Sequence, residues 1–237
     1  MGLPNMPVSL YKLFAKAESA RLYGGLSEIW DVGVHALAKR SNSNRFEIAN
    51  EMIAMRLANF VNLPVPAGVA LEESGTTYFC SMLFAGSGQK LPPADTAKLV
   101  VRLPRLASGI VIFDTWIANG DRHEGNLSFN ETDEDVMIFD HGQALFGQTG
   151  SSRLADLAGS FCIDRDNHSV ALDLQSFVDF DDWMDRILQL PDWHLRDIVQ
   201  ESRMLGVTEY EANDLFDFLR AYPKRLSVFS TVFAAVR

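Results

Sequence analysis

The first forty residues alternate between hydrophobic and polar positions, which is the spacing of half-buried β-strands. Three segments show this alternation: PVSLYKLFAK, RLYGGLSEIW and DVGVHALAKR. The glycine pair inside the second segment, Gly24 and Gly25, interrupts the alternation and is typical of a turn between strands. The chain is therefore predicted to open with a small group of strands joined by tight turns.

The spacing changes near residue 46, where apolar residues begin to recur every three or four positions. This recurrence predicts one helix that ends before a proline-containing turn. Its members are Phe46, Ala49, Ile53, Leu57 and Phe60, followed by Pro64 and Pro66. The later run TTYFCSMLFAG predicts a further strand, which the loop GSGQKLPP closes.

The rest of the chain is predicted to be mostly helical. Asp95 and Ser108 are predicted helix N-caps, and Pro104 is predicted to break the helical spacing between them. One hairpin interrupts the helices, because NLSFN and VMIFD are short strand patterns joined by the acidic turn ETDED. Helical spacing returns in the tail, from about residue 152 to residue 237.

This order of elements predicts an α+β fold with two lobes. The strand-rich lobe would span about residues 1–86 and the helical lobe about residues 92–237. No linker-like run divides the sequence, so residues 1–237 are predicted to form a single domain. A cleft between the lobes is the place where we expect a ligand to bind.

The charge balance restricts the partners. A net charge of −10 and a pI of about 4.9 argue against nucleic acid, which is bound by clustered Lys and Arg. A local basic site for a small anionic ligand is compatible with this balance. The N-terminus lacks the features of a signal peptide, and the most apolar stretch, 106–118, is too short to span a membrane. We therefore expect a cytoplasmic protein that binds no membrane.

Polar residues with metal-binding chemistry flank the predicted hairpin. Asp121 lies five residues before Asn126 in the loop NGDRHEGN, and Asn126 opens the first strand of the hairpin. Asp140 closes the second strand in IFDHG, so antiparallel pairing would bring it to roughly 5 Å from Asn126. An amide oxygen and a carboxylate are ligands that Mg²⁺ prefers, and phosphates and waters complete its shell. Asp121 is placed to accept a proton from a hydroxyl, and Gly142 allows a close turn.

These motifs resemble those of kinases. The spacing Asp-x4-Asn, followed by a hairpin that ends in Asp-x-Gly, is similar to the catalytic base and metal ligands of protein kinases. The form Asp-Arg-His-x-x-Asn is shared with lipid kinases and their relatives. The longer string FDTWIANGDRHEGNL and the tail LPDWHLRDI resemble the small bacterial HipA-like kinases. This resemblance implies a protein-kinase-like fold, ATP and Mg²⁺ as cofactors, Asp121 as base, and Asn126 and Asp140 as metal ligands.

A kinase also needs a cation that faces the phosphates from the strand lobe, oriented by a carboxylate. Lys39 ends the alternating strand VHALAK and fits this position. Glu47 and Glu51 lie four residues apart on one side of the following helix. The resemblance to HipA-like kinases favours Glu51 as the partner of Lys39, whereas an amphipathic helix would leave both glutamates on the surface.

The nucleotide-binding loop is the weakest part of the resemblance. Its position in the family implies that Gly24, Gly25 and Ser27 cover the phosphates with backbone N–H groups. The segment YGGLSE departs from GxGxxG, and a lone Gly-Gly pair is more often a simple turn. The adenine would lie near the strand and loop from Met82 to Gly86, where backbone groups after an apolar strand are free to bond it.

The neighbours of Asp121 have two open interpretations each. His123 either organises the active loop by hydrogen bonds or stabilises the transferring phosphate. Arg122 either takes one of these two roles or pairs with an acidic neighbour. Asp114 is predicted to be a buried carboxylate that needs such a partner.

The favoured function is a kinase that transfers the γ-phosphate of ATP to a hydroxyl, most often Ser or Thr of a protein. One alternative is a pseudokinase that binds a nucleotide or a partner and transfers nothing. Another is a small-molecule or lipid kinase, although the acidic charge disfavours phosphoinositide lipids. Because the HipA-like family includes toxin components, the resemblance also implies a protein substrate and an antitoxin-like partner.

Overall fold

The computed structural model describes residues 17–21, 29–32, 35–41, 43–84, 93–160 and 163–223. Strands dominate the first part, where one helix, α1, separates β3 from β4. The bounds are β1 Ala17–Arg21, β2 Ile29–Val32, β3 Ala36–Arg40, α1 Glu47–Phe60, β4 Gly68–Glu73 and β5 Thr76–Met82. β1 pairs with β2, and a three-stranded antiparallel sheet has the order β3-β5-β4. The predicted strand over PVSLYKLFAK lies outside the described residues.

The hairpin between β4 and β5 is an element that the apolar spacing did not predict. Glu73 pairs with Thr76, which leaves Ser74 and Gly75 as a two-residue turn. Both have positive φ, 52° and 74°, which matches the turns that suit the twist of a β-hairpin. A Ser-Gly pair between VALEE and TTYFC is the sequence signal of this hairpin.

Helix α1 confirms the predicted helix and is buried more completely than an amphipathic helix would be. Ala49, Ala54, Leu57 and Ala58 have no exposed surface, and Asn50 and Glu51 are buried as well. The helix packs against β4 and β5 on one side and against the helical part of the chain on another. It therefore carries polar side chains into the interior, where they need partners.

Helices make up most of the remaining chain. The bounds are α2 Thr96–Arg102, α3 Pro104–Trp116, α4 Ser151–Ser160, α5 Ser169–Asp173, α6 Phe180–Leu188, α7 Asp192–Glu201 and α8 Glu209–Ala221. The predicted hairpin is present between α3 and α4, with β6 at Leu127–Asn130 and β7 at Asp135–Ile138. Within the described residues, no helix has both the length and the apolar character needed to cross a membrane.

The predicted helix ends are partly correct. The Asp95 side chain accepts a hydrogen bond from Lys98 N at the start of α2, as an N-cap does, and Pro104 is the first residue of α3. Ser108 is not a cap, because it lies inside α3. Its hydroxyl donates to Pro104 O and accepts from Val178 N, so it joins two segments that are distant in sequence.

Helix α3 forms the centre of the helical part and leads to the polar loop. Ile110, Val111 and Phe113 are at most 1% exposed. The Trp116 indole N–H donates to Leu219 O of α8 over 3.1 Å. This burial fixes the last turn of α3, and the polar loop that follows starts from a rigid end.

Gly109 of α3 lies against the indole ring of Trp183, and the contact predicts a loss of stability for Gly109→Ala. A Cβ at residue 109 would lie 2.4 Å from two atoms of that ring. Alanine gains about 1 kcal/mol of helix propensity over glycine, whereas overpacking a core costs about 1–3 kcal/mol. We expect the clash to dominate and the urea midpoint of unfolding to fall.

Trp183→Phe provides the matched background for this test, because phenylalanine lacks the ring atoms closest to residue 109. The cost of Gly109→Ala should be smaller in that background than in the wild type. An equal cost in both backgrounds would show that the contact with Trp183 is not the cause.

Candidate active site

A cavity of about 530 Å³ lies between the β3-β5-β4 sheet, α1 and the β6–β7 hairpin. This volume is in the usual range for small-molecule sites. Most of the lining is apolar, and its charged side chains are Lys39, Glu51 and Asp140. The rings of Phe84 and Phe139, also in the lining, lie 5.3 Å apart and join the end of β5 to the end of β7. The cavity is therefore apolar with one local cluster of charge.

Lys39 is the centre of that cluster. Its Nζ lies 2.5 Å from Asp140 Oδ1, 2.9 Å from Glu51 Oε1 and 3.1 Å from Glu47 Oε1. An ammonium group has three N–H donors, so three carboxylates can engage all of them. Partial burial opposes the charged form, but the carboxylates of Glu51 and Asp140 outweigh it and hold the pKa of Lys39 above its ordinary value. The structure thus brings Lys39 and Glu51 together and adds Glu47.

Glu51 connects Lys39 to the segment that follows β7. Its side chain is only 4% exposed, and its second oxygen, Oε2, accepts a hydrogen bond from the backbone N–H of His141 over 2.9 Å. Burial raises the pKa of Glu51, while the Lys39 charge and these hydrogen bonds oppose the shift. Because His141 follows Asp140 directly, Glu51 fixes the backbone next to the predicted metal ligand.

Asn50, one residue before Glu51, also fixes the backbone that follows Asp140. It was not identified as a site residue from the sequence. Its Nδ2 donates to Gly142 O over 2.8 Å, and its Oδ1 accepts from Phe146 N over 3.3 Å. The signal for it was the Asn-Glu pair inside an otherwise apolar helix. Only glycine fits at residue 142, since a Cβ there would lie 2.7 Å from Glu47 Cγ and 3.3 Å from Lys39 Nζ.

Asn126 lies across the hairpin from Phe139, the residue before Asp140, and both Asn126 and Asp140 lie just outside the strands. Leu127 pairs with Ile138, and Phe139 N donates to Asn126 O over 3.2 Å. Asn126 ends a 3₁₀ turn, so it does not open β6, and β7 ends two residues before Asp140. Asp140 has a φ of +60°, a region that Asp and Asn adopt more readily than most residues and that is often found at functional sites.

The Asn126 side chain is oriented by the loop that carries Asp121. Its Nδ2 donates to Asp121 O over 2.8 Å, which leaves its Oδ1 as the atom available to a cation. Asp121 itself is exposed, and its backbone N–H donates to Asn119 Oδ1. The Asp121 side chain does not line the apolar cavity; it lines a separate recess on the other side of the loop.

Arg122 is fully buried and cross-links the site. Its five N–H donors have five acceptors: Asp114 Oδ2, Asp114 Oδ1, Asn126 O, Phe139 O and His141 Nε2, at 2.6 to 3.0 Å. No donor is left for a transferring phosphate. Of the two interpretations of Arg122, the geometry therefore corrects the direct catalytic one and favours the pairing with Asp114. Arg122 acts as a positioning residue.

Asp114 anchors this arrangement at the end of α3. Besides Arg122, it accepts hydrogen bonds from Asn119 Nδ2 over 2.8 Å and from His168 Nε2 over 3.1 Å. His168 Nδ1 accepts from Ala171 N, so the ring proton sits on Nε2 and points to Asp114. Burial acts to raise the pKa of Asp114, but the Arg122 charge and these hydrogen bonds hold it far below its ordinary value. Sequence analysis did not identify His168, whose partners are distant in sequence.

His141 and His123 serve as hydrogen-bond acceptors. Burial and the adjacent Arg122 charge lower the pKa of His141 to about 3, so the ring stays neutral and accepts from Arg122 through Nε2. His123 is exposed, and its Nδ1 accepts from Gly125 N over 3.0 Å. This bond caps the 3₁₀ turn before β6, in agreement with the interpretation that His123 organises the loop.

Of the remaining residues predicted to contact the nucleotide, the structure describes residues 82–84. Gly24, Gly25 and Ser27 lie outside the described residues. Met82 does not line the cavity, and its backbone N–H is already bonded to Ala67 O over 2.7 Å. The backbone N–H of Met82 is therefore not available to bond the adenine, contrary to the prediction. The next residues, Leu83 and Phe84, line the cavity instead.

The residues present fit Mg²⁺ bound together with phosphates. Within the described residues, no cluster of three or more His, Cys, Asp or Glu side chains could hold a metal by itself. Mg²⁺ in phosphoryl-transfer sites needs fewer protein ligands, because substrate phosphates and waters complete its octahedral shell. The Asn126 amide oxygen and the Asp140 carboxylate are suitable for this role.

Comparison with known proteins identifies the family of the chain. A sequence profile of the HipA-like kinase family matches residues 33–202. The fold is similar to that of the Helicobacter pylori proinflammatory kinase CtkA, with a TM-score of 0.57 and 15% identity, over 94% of this chain and 98% of that chain. HipA of Shewanella oneidensis, solved with HipB and operator DNA, gives a TM-score of 0.49 and 14% identity, over 91% of this chain and 64% of HipA. No curated protein matches the sequence. Since the family profile covers well over half of the chain, this protein belongs to the HipA-like kinase family.

Proposed function

We propose that this protein transfers the γ-phosphate of ATP to a hydroxyl of a protein Ser or Thr, with Mg²⁺ as the metal. The observation that carries the proposal is the meeting of Lys39, Glu51 and Asp140 in one cavity, with Asn126 bonded through its carbonyl to Phe139, the residue before Asp140. A lysine–glutamate pair next to an Asn and Asp pair is the set of groups that kinases use for nucleotide phosphates and metal. Membership of a kinase family supports the same activity.

Each residue has a separate task in this proposal. Asn126 and Asp140 would hold Mg²⁺, which supplies positive charge that offsets the phosphates. Lys39 exchanges part of its contact with carboxylates for contact with phosphate oxygens. Asp121 accepts the proton of the attacking hydroxyl, and its backbone carbonyl keeps the Asn126 amide turned toward the metal.

Buried neighbours hold these groups in position. Arg122 donates to the carbonyl of Asn126, one proposed metal ligand, and to that of Phe139, which precedes the other, Asp140. Asn50 and Glu51 hold the backbone of Gly142 and His141 on the other side of Asp140. A site fixed in this way loses little free energy to reorganisation during the reaction.

The proposal is tested by incubating the purified protein with labelled ATP and Mg²⁺, with and without added bacterial proteins. We expect phosphoserine or phosphothreonine by mass spectrometry, and no transfer when EDTA removes the metal. Saturable nucleotide binding without any transfer would identify a pseudokinase instead. Label found only in added metabolites or lipids would identify a small-molecule kinase.

A protein partner of antitoxin type belongs to the same proposal. It follows from the toxin components within the HipA-like family, and it concerns regulation rather than the reaction. Co-purification from the source cell, followed by a transfer assay with and without the partner, tests it. A partner that leaves the transfer rate unchanged would contradict an antitoxin role.

A further inference from the structure

Another recess, of about 260 Å³, lies next to Asp121. Its lining comes from two segments, the loop before the hairpin and the chain between Asp140 and α4. The lining residues are Gly120, Asp121, Gln143, Gly147, Gln148 and Arg153. None of these residues lines the larger cavity that contains Lys39 and Asp140. The two cavities are therefore separate spaces that share the Asp121–Asn126 loop as a border.

Arg153 brings a positive charge without a counter-charge to this recess. Its Nη1 donates to Gln143 O over 2.6 Å, and its Nη2 donates to Ala118 O over 2.8 Å. Both acceptors are neutral backbone carbonyls, and in the described parts of the chain no carboxylate forms an ion pair with the guanidinium. Burial without such a partner lowers the pKa of Arg153. Partial burial of a guanidinium without an anion costs folding free energy, and a ligand that supplies the anion would offset this cost.

The backbone keeps the guanidinium at this place. Gly147 has a φ of +52°, and a Cβ there would lie 2.4 Å from Arg153 Nη1. Any side chain at residue 147 would push the guanidinium away from the recess. The two carbonyl bonds use one N–H from each Nη atom, so further N–H donors remain for a ligand.

The position of the recess identifies its role in phosphoryl transfer. In such a reaction the attacking and leaving oxygens lie roughly in line on opposite sides of the transferred group. The larger cavity contains the groups proposed for the nucleotide, and Asp121, the proposed base, faces the recess. A hydroxyl bound in the recess would lie beside the base, and the Asp121–Asn126 loop is the border across which it would approach the phosphate.

We propose that this recess binds the acceptor and that Arg153 recognises an anionic group next to the acceptor hydroxyl, so that the substrate is an acidic Ser- or Thr-containing segment. This inference rests on the proposed kinase function, because it assigns the acceptor side of that reaction. The hydroxyl oxygen forms a bond to the γ-phosphorus and the bond to ADP breaks. The hydroxyl proton passes to the Asp121 carboxylate. The anion that Arg153 binds is either an Asp or Glu carboxylate or a phosphate on a neighbouring residue.

The test uses binding of degenerate peptide libraries to the full chain, in the presence of Mg²⁺ and a non-hydrolysable ATP analogue. The central residue is Ala in place of Ser, and one flanking position carries Asp, phosphoserine, Ala or Lys. We expect Asp or phosphoserine peptides to bind roughly tenfold more tightly than Ala peptides, and Lys peptides to bind most weakly. The Asp and phosphoserine arms distinguish a carboxylate from a phosphate as the bound group.

Variants of Arg153 show whether the preference depends on it. Arg153→Gln should remove the preference for acidic peptides and leave the affinity for Lys peptides nearly unchanged. Arg153→Lys should keep a reduced preference, since an ammonium retains the charge and loses the fork-shaped donor geometry. Arg102→Gln, a change of an exposed arginine on α2, is the matched control and should change nothing.

Three outcomes would overturn the inference: no preference in the wild type, a preference for Lys, or an acidic preference that survives Arg153→Gln. An equal loss of affinity for every peptide in Arg153→Gln would also overturn it, since a purely structural role has that effect. Failure of the kinase function is distinguishable. Acidic peptides would then bind as expected, but their Ser-containing versions would acquire no phosphate.

Discussion

Replacing Asp140 by asparagine is expected to lower kcat of phosphoryl transfer by at least about 10³-fold. The metal stabilises charge on the transferring phosphate by several kcal/mol, and each 1.36 kcal/mol corresponds to a factor of about ten. Asp140 is the charged member of the proposed metal pair, so its loss removes most of this stabilisation. The affinity for Mg²⁺-ATP should fall as well, because Asn126 alone would remain.

Asparagine is the suitable replacement, because Asp140 has a φ of +60°, a conformation that Asn also tolerates. Its side chain is 47% exposed, so the fold should persist and the thermal midpoint should change little. Rates are measured with labelled ATP, and nucleotide affinity is measured by calorimetry. Asp185→Asn, an exposed carboxylate on α6, is the matched control and should keep normal rates.

Asp121→Asn separates the proposed base from the proposed metal ligand. Loss of a positioned base lowers rates by about 10²–10⁴-fold, whereas the nucleotide cavity, which Asp121 does not line, stays unchanged. We therefore expect Asp121→Asn to bind Mg²⁺-ATP with wild-type affinity and to transfer almost nothing. Normal transfer by either variant would refute the assignment of these two residues.

The sequence predicted the parts of the site that depend on local pattern. Asp121, Asn126 and Asp140 lie around a hairpin whose strands and turn are visible in the alternation of residues, and antiparallel pairing then determines which ends meet. Lys39 was accessible for a similar reason, because it ends an alternating strand, whereas its pairing with Glu51 was implied by the resemblance to HipA-like kinases. A strand period of two and a helix period of 3.6 determine which side chains share a face.

Contacts between distant segments could not be predicted in this way. The pairing of Arg122 with Asp114 was one of its open interpretations, but its other three acceptors come from the 3₁₀ turn and the chain after β7, and no spacing in the sequence reveals them. Ser108 has the composition of a cap, yet its partner Val178 lies 70 residues away and its location inside a helix was missed. The contact of Glu47 with Lys39 was not predicted. Glu47 and Glu51 share one face of α1, and only the tertiary packing shows that both carboxylates reach Lys39.

Arg122→Met is expected to cause the largest loss of stability of any single change considered. It leaves the Asp114 carboxylate, which has no exposed surface, without its counter-charge, and leaves two backbone carbonyls and His141 without a donor. Removal of one partner of a buried ion pair costs about 3–5 kcal/mol. A domain of ordinary stability has only about 5–15 kcal/mol in total, so the variant should lose a large fraction of its free energy of unfolding.

Urea unfolding followed by circular dichroism measures this loss, and Arg102→Met is the matched control. Arg102 pairs with Glu134 on the surface, where an ion pair is worth below about 1 kcal/mol. In the double variant Asp114→Asn/Arg122→Met neither charge is buried alone, so its loss should be smaller than the sum of the two single losses. Additive losses would show that the two side chains contribute independently.

The ion pair of Asp114 and Arg122 also predicts how the free energy of unfolding depends on pH. The pKa of Asp114 is far lower in the folded protein than the value near 3.9 that an Asp has in an unfolded chain. Its contribution is therefore complete above about pH 4 and is lost as the pH falls toward the folded pKa. The difference in urea midpoint between the wild type and the double variant should be constant from about pH 5 to pH 7. It should shrink below about pH 4, because only the wild type has this carboxylate to protonate.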